Sequence, residues 1–415
     1  MRVLYIAGAV EANSASGGST HIREVACGLK ELGHDVVVMA RAAPDAPRPS
    51  TLDCGVRVRY LRWRKQLAMM GLRQVARTVR SFKPQVIMER YYNFAGAGIL
   101  LARRHGIPAI LEVNAPMVDP PGTLKTKLDR ILFGSMRMWA VQQARWSAAI
   151  VTPLASTVPP EISRRKIYEL PWGANIERFD PSIRAARRHR LAKQRKALGL
   201  APGVPVAVFL GSFRAWHGVG QFAQAARLLL GRGVSVAFLA IGGGPELPAL
   251  KAEVEGWGLP RDRFVLAGPR AHDEVPELLA LADIGVAPFD LAAHPPLVAF
   301  GFYWSPLKVF EYMAMALPVV TIDVAPLNDI VRHEQEGLLY PSGDVQMLAE
   351  SIERLATDQA LRERLGASAR ERVVQHYSWQ AHCRSLDAIL KEIVEQRQIE
   401  LAPRKLARAK RIRFR

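Results

Sequence analysis

At 415 residues the chain is too long for one ordinary core, and its 49% hydrophobic and 23% charged content is that of folded globular protein, which excludes a disordered or fibrous class. No run of about 18 apolar residues is free of charge or proline, since the stretch 288–306 is broken by Asp290, His294, Pro295 and Pro296, so no transmembrane span is expected. The formal net charge is +19, and nearly all of the excess lies in residues 1–195, an asymmetry that suits a polyanion or an anionic membrane surface, or else reflects solvated basic faces.

The opening "MRVLYIAGAV" lacks a basic leader region and runs into Glu11 and Asn13, so it reads as a first strand and not as a signal peptide. A loop "ASGGST", a helix "HIREVACGLKELGH" and a strand "DVVVMA" follow. Ile22, Val25, Ala26, Leu29 and Leu32 give the helix its 3.6-residue period, and Gly33 stands where a C-terminal cap belongs. This is a βαβ unit of the parallel kind. Cys27, Cys54 and Cys383 are widely spaced and odd in number, which predicts three reduced thiols in a cytosol. Two stretches, 57–80 and 124–146, combine Lys and Arg with Leu, Met and Trp at spacings that predict basic amphipathic helices.

Further strands are predicted at 85–88, 109–113 and 148–152. After the charged connector "RAARRHRLAKQRKALG" the alternation restarts with "VPVAVFLG", "VSVAFLAIGGG", "RFVLAG" and "IGVAPF", each separated by helical segments. The expectation is an α/β protein with a Rossmann-like domain over 1–190, a second over 191–378, a long crossover helix over 379–400 and a basic tail over 401–415. Ligands of such folds bind at the carboxyl ends of the strands.

Within "SPLKVFEYMAMALPVVTI" (305–322), Ser305 is the expected N-cap, Pro306 the first helical residue, and Leu307, Val309, Phe310 and Met313 the apolar face. Lys308 then sits in the first turn, where a cation opposes the helix macrodipole at a cost of about 0.3–1 kcal/mol. An anion shared between the helix N-terminus and the ammonium resolves the conflict; a lysine snorkelling to solvent is the alternative. Glu311, one turn on, suits sugar hydroxyls beside such an anion. Phosphate plus ribose is what a nucleotide presents. Gly17 and Gly18, before a helix, offer a second anion-binding loop or simply a tight turn.

In "GGSTHIREVACGLKELGHDVVV", "LPWGANIERFDP", "AIGGGPELPALKAEVEGWGL", "FVLAGPRAHDEVPELLALADIGVAPF" and "SPLKVFEYMAMALPVV" ahead of "EQEGLLYPSGD", the chain resembles a family 4 glycosyltransferase of the GT-B fold over nearly its whole length. The resemblance implies a nucleotide-sugar donor held mainly by the C-terminal domain, an acceptor held by the N-terminal one, retention of configuration, and no metal or other cofactor. No Asp-any-Asp motif ends a strand, in keeping with metal independence. The family's pair of glutamates eight positions apart falls on Tyr303 and Glu311, which leaves Glu311 as ribose ligand and Tyr303 in place of the usual sugar contact. Its phosphate-binding Arg and Lys fall on Ser212 and His217, so Arg214 and Lys308 are the expected diphosphate anchors, with His217 and Leu307 beside them. The usual acceptor-side histidine falls on Asn114, and His21 and Arg90 complete that group, although His21 also reads as a helix-surface residue.

The leading expectation is a cytosolic, metal-independent transferase acting on a glycan or lipid-linked acceptor, with UDP as the base guessed on family frequency and an anionic membrane surface as a further partner. Epimerases and phosphorylases share the fold, but no cluster of catalytic carboxylates or phosphorylase cofactor lysine stands out. A non-catalytic module for membrane or nucleic acid is the third reading, and the ordered alternation argues against it.

Overall fold

The computed structural model describes residues 1–14, 17–43, 47–120 and 123–413. The chain divides into two compact units, one formed by Met1–Pro171 with Trp379–Arg415, the other by Trp172–Ser378. Each carries one sheet whose strands are all parallel, as expected.

In the first unit the strands are β1 (Arg2–Glu11), β2 (Asp35–Arg41), β3 (Arg57–Tyr60), β4 (Val86–Arg90), β5 (Ala109–Glu112), β6 (Ala149–Thr152) and β7 (Ile167–Glu169), in the order β3-β2-β1-β4-β5-β6-β7. Val3–Ala7, Val36–Ala40 and Val86–Met88 are buried on both faces, which is why these strands read as unbroken apolar runs. The helix Gly17–Glu31 buries Ile22, Val25, Ala26 and Leu29, and Gly33 closes its end with a left-handed φ of 86°. Ala15 and Ser16 of the expected loop lie outside the described residues.

Several expectations change here. Arg57–Tyr60 is an edge strand, followed by a 3-10 segment Lys65–Gly71 and a helix Leu72–Phe82 that turns Val75, Val79 and Phe82 into the core, so 57–80 is not one amphipathic helix. The stretch 124–146 likewise breaks into helices Leu124–Ile131 and Ser135–Trp146, because Phe133 and Gly134 both adopt positive φ. Cys27 and Cys54 form a disulfide, which overturns the expectation of three reduced thiols, and only Cys383 is free and buried. The long helix Trp379–Arg413 belongs to this unit. Asp387 bonds His34 Nε2 at 2.9 Å, and Leu386, Ile389, Leu390 and Ile393 are buried. The helix continues past the boundary expected at 400, and Phe414 and Arg415 of the expected tail lie outside the described residues.

In the second unit β8 (Val206–Leu210), β9 (Ala237–Ile241), β10 (Phe264–Gly268), β11 (Ile284–Ala287), β12 (Val319–Ile322) and β13 (Gly337–Tyr340) are ordered β10-β9-β8-β11-β12-β13. Residues 172–190, expected in the first domain, cluster with this unit. The connector is packed and not a free linker: Arg187 and Arg190 both bond the nearly buried carboxylate of Glu277, the second at 2.9 Å, and Arg184 reaches Ala282 O. Strand order reverses between β8 and β11, and that switch point is where an open parallel sheet leaves a crevice for ligand.

Candidate active site

The second unit builds its site on the helix Leu307–Ala314, whose residues from Lys308 onward are all buried. Tyr312 fixes this helix to the sheet. Its hydroxyl accepts the Leu210 N–H at 2.7 Å, and its ring fills the space that a side chain at Gly285 would need, since a Cβ there would lie 2.5 Å from it. The helix therefore starts beside the ends of β8 and β11. Ser305 does not cap it: its Oγ accepts the Trp172 N–H at 3.0 Å, and Pro306 occupies the cap position.

Lys308 is only 8% exposed, so it does not snorkel. Its Nζ stands 4.2 Å from the ring centroid of Phe209 and 5.0 Å from that of Phe289, and has no hydrogen-bond partner among the described residues. Burial drives its pKa down to about 7, and the charge of Glu311 works against that fall. The backbone at Gly211 runs close over the ammonium. A Cβ at Gly211 would come within 3.1 Å of Nζ, a tight contact, and φ there is 141°, a backbone conformation that favours glycine.

His217 enters from the 3-10 turn Ala215–His217. Its Nδ1–H donates to Ser212 O at 2.6 Å, with Ser212 Oγ at 3.0 Å. Burial, then Lys308 and Arg214, depress its pKa to about 3, so the ring is neutral and no standing cation. Arg214 begins the same turn and is exposed. Glu311 is 8% exposed and pairs with His272 Nε2 at 3.3 Å. Leu307 opens the helix half-buried, and Tyr303 is buried with its hydroxyl 3.5 Å from His294 Nε2.

The unit thus brings together Ser212, Arg214, His217, Lys308 and Glu311. His272, Phe209, Phe289, Trp216, Trp304 and His294 were not singled out by sequence reasoning. A run of aromatics and histidines in "RAWHG" and "HPPLVAFGFYW" was the available signal.

In the first unit the centre is Glu112, at the end of β5. It accepts Tyr5 Oη at 2.6 Å and Asn114 Nδ2, with Arg90 at 3.6 Å and His21 Nδ1 at 3.4 Å. His21 is 1% exposed, which removes the helix-surface reading. Its ring makes edge contacts with Trp379 and His382, and burial followed by the Arg90 and His382 charges holds it well below the usual histidine range. His21, Arg90 and Asn114 therefore share one network, organised by a carboxylate that sequence reasoning passed over; a charge inside the apolar strand "AILEV" was its trace. Gly17 and Gly18 form the start of the helix that carries His21, in the first unit.

Among the described residues no cluster of His, Cys, Asp and Glu suits a metal ion, and no helix is long and apolar enough to cross a membrane.

Residues 16–159 match the family model of the glycosyl transferase 4-like domain, and residues 204–358 match that of glycosyl transferases group 1. The chain is 27% identical to an α-D-kanosaminyltransferase of Streptomyces kanamyceticus over 87% of its own length and 91% of that protein's. Among solved structures, sucrose-phosphate synthase of Thermosynechococcus elongatus superposes with a TM-score of 0.74 at 18% identity, covering 95% of this chain and 100% of that one. HepE of Anabaena, solved in complex with UDP, gives 0.70 at 16% identity with 94% and 100% coverage. The two-sheet architecture is the one these proteins share.

Proposed function

The chain belongs to the family 4 glycosyltransferases of the GT-B fold, enzymes that use nucleotide-sugar donors, and from that premise we propose a retaining, metal-independent transferase that takes a UDP-linked sugar to a glycan or lipid-linked acceptor. The observation that carries the reading is the buried, unpaired ammonium of Lys308 in the first turn of a helix at the sheet's switch point. A diphosphate there receives both the helix N–H groups and the cation, and the buried charge gains the partner it lacks. Glu311 accepts two ribose hydroxyls. Arg214, on the exposed rim, adds a second cation to the oxygen that gains charge as the bond to the sugar breaks. No cofactor beyond the nucleotide-sugar has a role in this scheme. UDP found in HepE supports uridine as the base.

Calorimetric titration with UDP, GDP and ADP tests the donor side. UDP binds most tightly, and Arg214→Ala lowers turnover more than donor affinity, because its charge acts mainly in the transition state. NMR of the product shows the donor's anomeric configuration retained, and EDTA leaves activity intact. Inverted product, or activity lost to EDTA and restored by manganese, rejects those parts of the reading.

The acceptor side is proposed to work at an anionic membrane surface. Some of the apolar residues left outside the core stand among basic ones: Ile131, the last residue of its helix, is 72% exposed and Phe133, in the break after it, 93%, while Trp63 precedes the 3-10 segment and Leu67 and Met70 lie within it, all three exposed. Lys127, Arg130, Arg62, Arg64 and Lys65 surround them in sequence. Nucleic acid is not an expected partner.

A further inference from the structure

We infer that His272 is a positioning residue of the donor site: its Nε2–H holds the carboxylate of Glu311 in the plane that receives the ribose diol, and the site thereby selects a ribonucleotide over its deoxy form. The inference rests on the nucleotide-sugar reading of the Lys308 site and adds what fixes its ribose-reading carboxylate.

Glu311 is nearly buried, and His272 Nε2, 3.3 Å from Oε1, is the single hydrogen-bond partner of its carboxylate among the described residues. An ionised carboxylate only accepts, so Nε2 carries the proton. The last torsion of a glutamate side chain is broad, and the carboxylate offers about four acceptor sites, so one bond from His272 fixes its plane and leaves sites for both ribose hydroxyls. A solvent-exposed ion pair at this distance has little energetic weight, but here the carboxylate is the covered partner and has no other donor.

The loop after β10 that carries His272 is tied down on both sides of it. The Glu274 N–H donates to Ala271 O at 2.9 Å and the Ala271 N–H donates to Glu274 Oε2 at 3.0 Å, which closes a reciprocal turn around His272 ahead of the helix Val275–Leu279. Two neighbouring contacts fasten this turn to the segment 175–180 of the same unit: the ring of His272 meets that of Phe179 edge-on at 5.7 Å, and Asp273 pairs with Arg178. Phe179 is buried, and Arg370 donates to its carbonyl oxygen at 2.8 Å and to the Asp180 carboxylate at 3.2 Å. The second half of "LPWGANIERFDP" thus gains a task, since it sets the ring that sets Glu311.

Calorimetry with nucleotides that differ only in the ribose diol tests the inference: UDP against 2′,3′-dideoxy-UDP, and GDP against 2′,3′-dideoxy-GDP. Wild type prefers the ribo member of the pair with the better base by about tenfold or more, since a site built to bond hydroxyls rejects the analogue that lacks them. His272→Ala lowers that preference to within about twofold by weakening the ribo member alone, and His272→Gln, whose amide N–H can take the place of Nε2–H, restores most of it. In turnover the loss appears as a higher KM for the nucleotide-sugar at nearly unchanged kcat. A role confined to packing the loop weakens ribo and dideoxy members alike and leaves their ratio as it was. That result overturns the inference while the nucleotide reading stands, as does equal binding of both members by wild type or tighter UDP binding in His272→Ala. Failure of every diphosphate to bind wild type overturns the nucleotide reading itself, and the inference with it.

Discussion

Lys308 holds its ammonium 4.2 Å above the ring of Phe209, with no carboxylate or carbonyl bonded to it among the described residues. The ring quadrupole recovers part of the lost hydration, and the remainder appears as a pKa of about 7. The unfolded chain, with a lysine near its ordinary value of about 10.4, binds more protons between those two values, so stability rises with pH across that window and the penalty is full below it. Lys308→Met removes the slope. At pH 7 or below it raises the melting temperature of the ligand-free protein, by roughly 2–4 °C for each kcal/mol relieved, even as it abolishes nucleotide binding. A fall in melting temperature contradicts the assignment of an uncompensated buried charge.

The same group makes binding pH-dependent. A diphosphate restores the charged form of Lys308, so wild-type protein takes up close to one proton on binding UDP at pH 8, and affinity falls about tenfold per pH unit from pH 8 to 9. Calorimetry in two buffers of different ionisation enthalpy measures the uptake. Zero uptake at pH 8 sinks the proposal that the ammonium meets the diphosphate.

Glu311→Ala weakens UDP binding by roughly tenfold or more, the loss of charged acceptors for ribose hydroxyls at about 1.5–3 kcal/mol per bond. Because Glu311 also props up the Lys308 charge, the two substitutions are not additive. Affinity within twofold of wild type removes Glu311 from the ribose.

Cysteine chemistry follows from the pairing of Cys27 with Cys54. The native, unreduced protein reacts poorly with thiol reagents, because the Cys383 thiol is buried and pushed up to about 12. After denaturation without reductant one thiol titrates, and after reduction three do. Three thiols before reduction would show that the pair is open.

What could be read beforehand follows from what strands and loops must bury. β1, β2 and β5, covered on both faces, announce themselves as Val- and Ile-rich runs, and the restart of that pattern near residue 204 marks the second sheet. β3 escaped because "RVRY" at a sheet edge alternates charge with apolar residues and resembles one face of a helix. The disulfide escaped because Cys27 lies on a helix and Cys54 in a turn before β3, and only the tertiary fold brings them together. Lys308 was conspicuous by its conflict with the helix dipole, yet its burial depends on Phe209 from β8 and Phe289 from the loop after β11. Glu112 was legible only as a charge in an apolar strand, with nothing local to name Tyr5, His21 or Arg90 as its partners.

Glu112→Gln should destabilise the first unit by about 1–3 kcal/mol, since Tyr5, Asn114 and Arg90 lose the charge that their donors converge on. The donor group lies in the other unit, so UDP affinity stays within twofold. Melting curves and titration separate the effects; an unchanged melting temperature would mean that Glu112 does not organise the network.

The exposed apolar tips of the first unit make the last prediction. Burying a phenylalanine in a bilayer interface gains about 1.5–3 kcal/mol, and each Lys or Arg near an anionic leaflet adds about 1 kcal/mol. Phe133 and Ile131 with Lys127 and Arg130 beside them, and Leu67 and Met70 with Arg64 and Lys65, supply both terms. Neither element is long enough to anchor alone, so binding is reversible and salt-sensitive. Co-sedimentation with phosphatidylglycerol vesicles rises with anionic lipid and falls in high salt. Phe133→Ser weakens it without changing UDP affinity, and neutralising Arg62, Arg64, Lys65, Lys125 and Lys127 weakens it further. Arg62→Gln and Arg64→Gln are the cleaner of these, because Lys125 also pairs with Asp119 at 3.0 Å and its loss carries a structural component. Equal recovery in the supernatant with neutral and anionic vesicles at low salt rejects membrane association and leaves a soluble glycan as the acceptor.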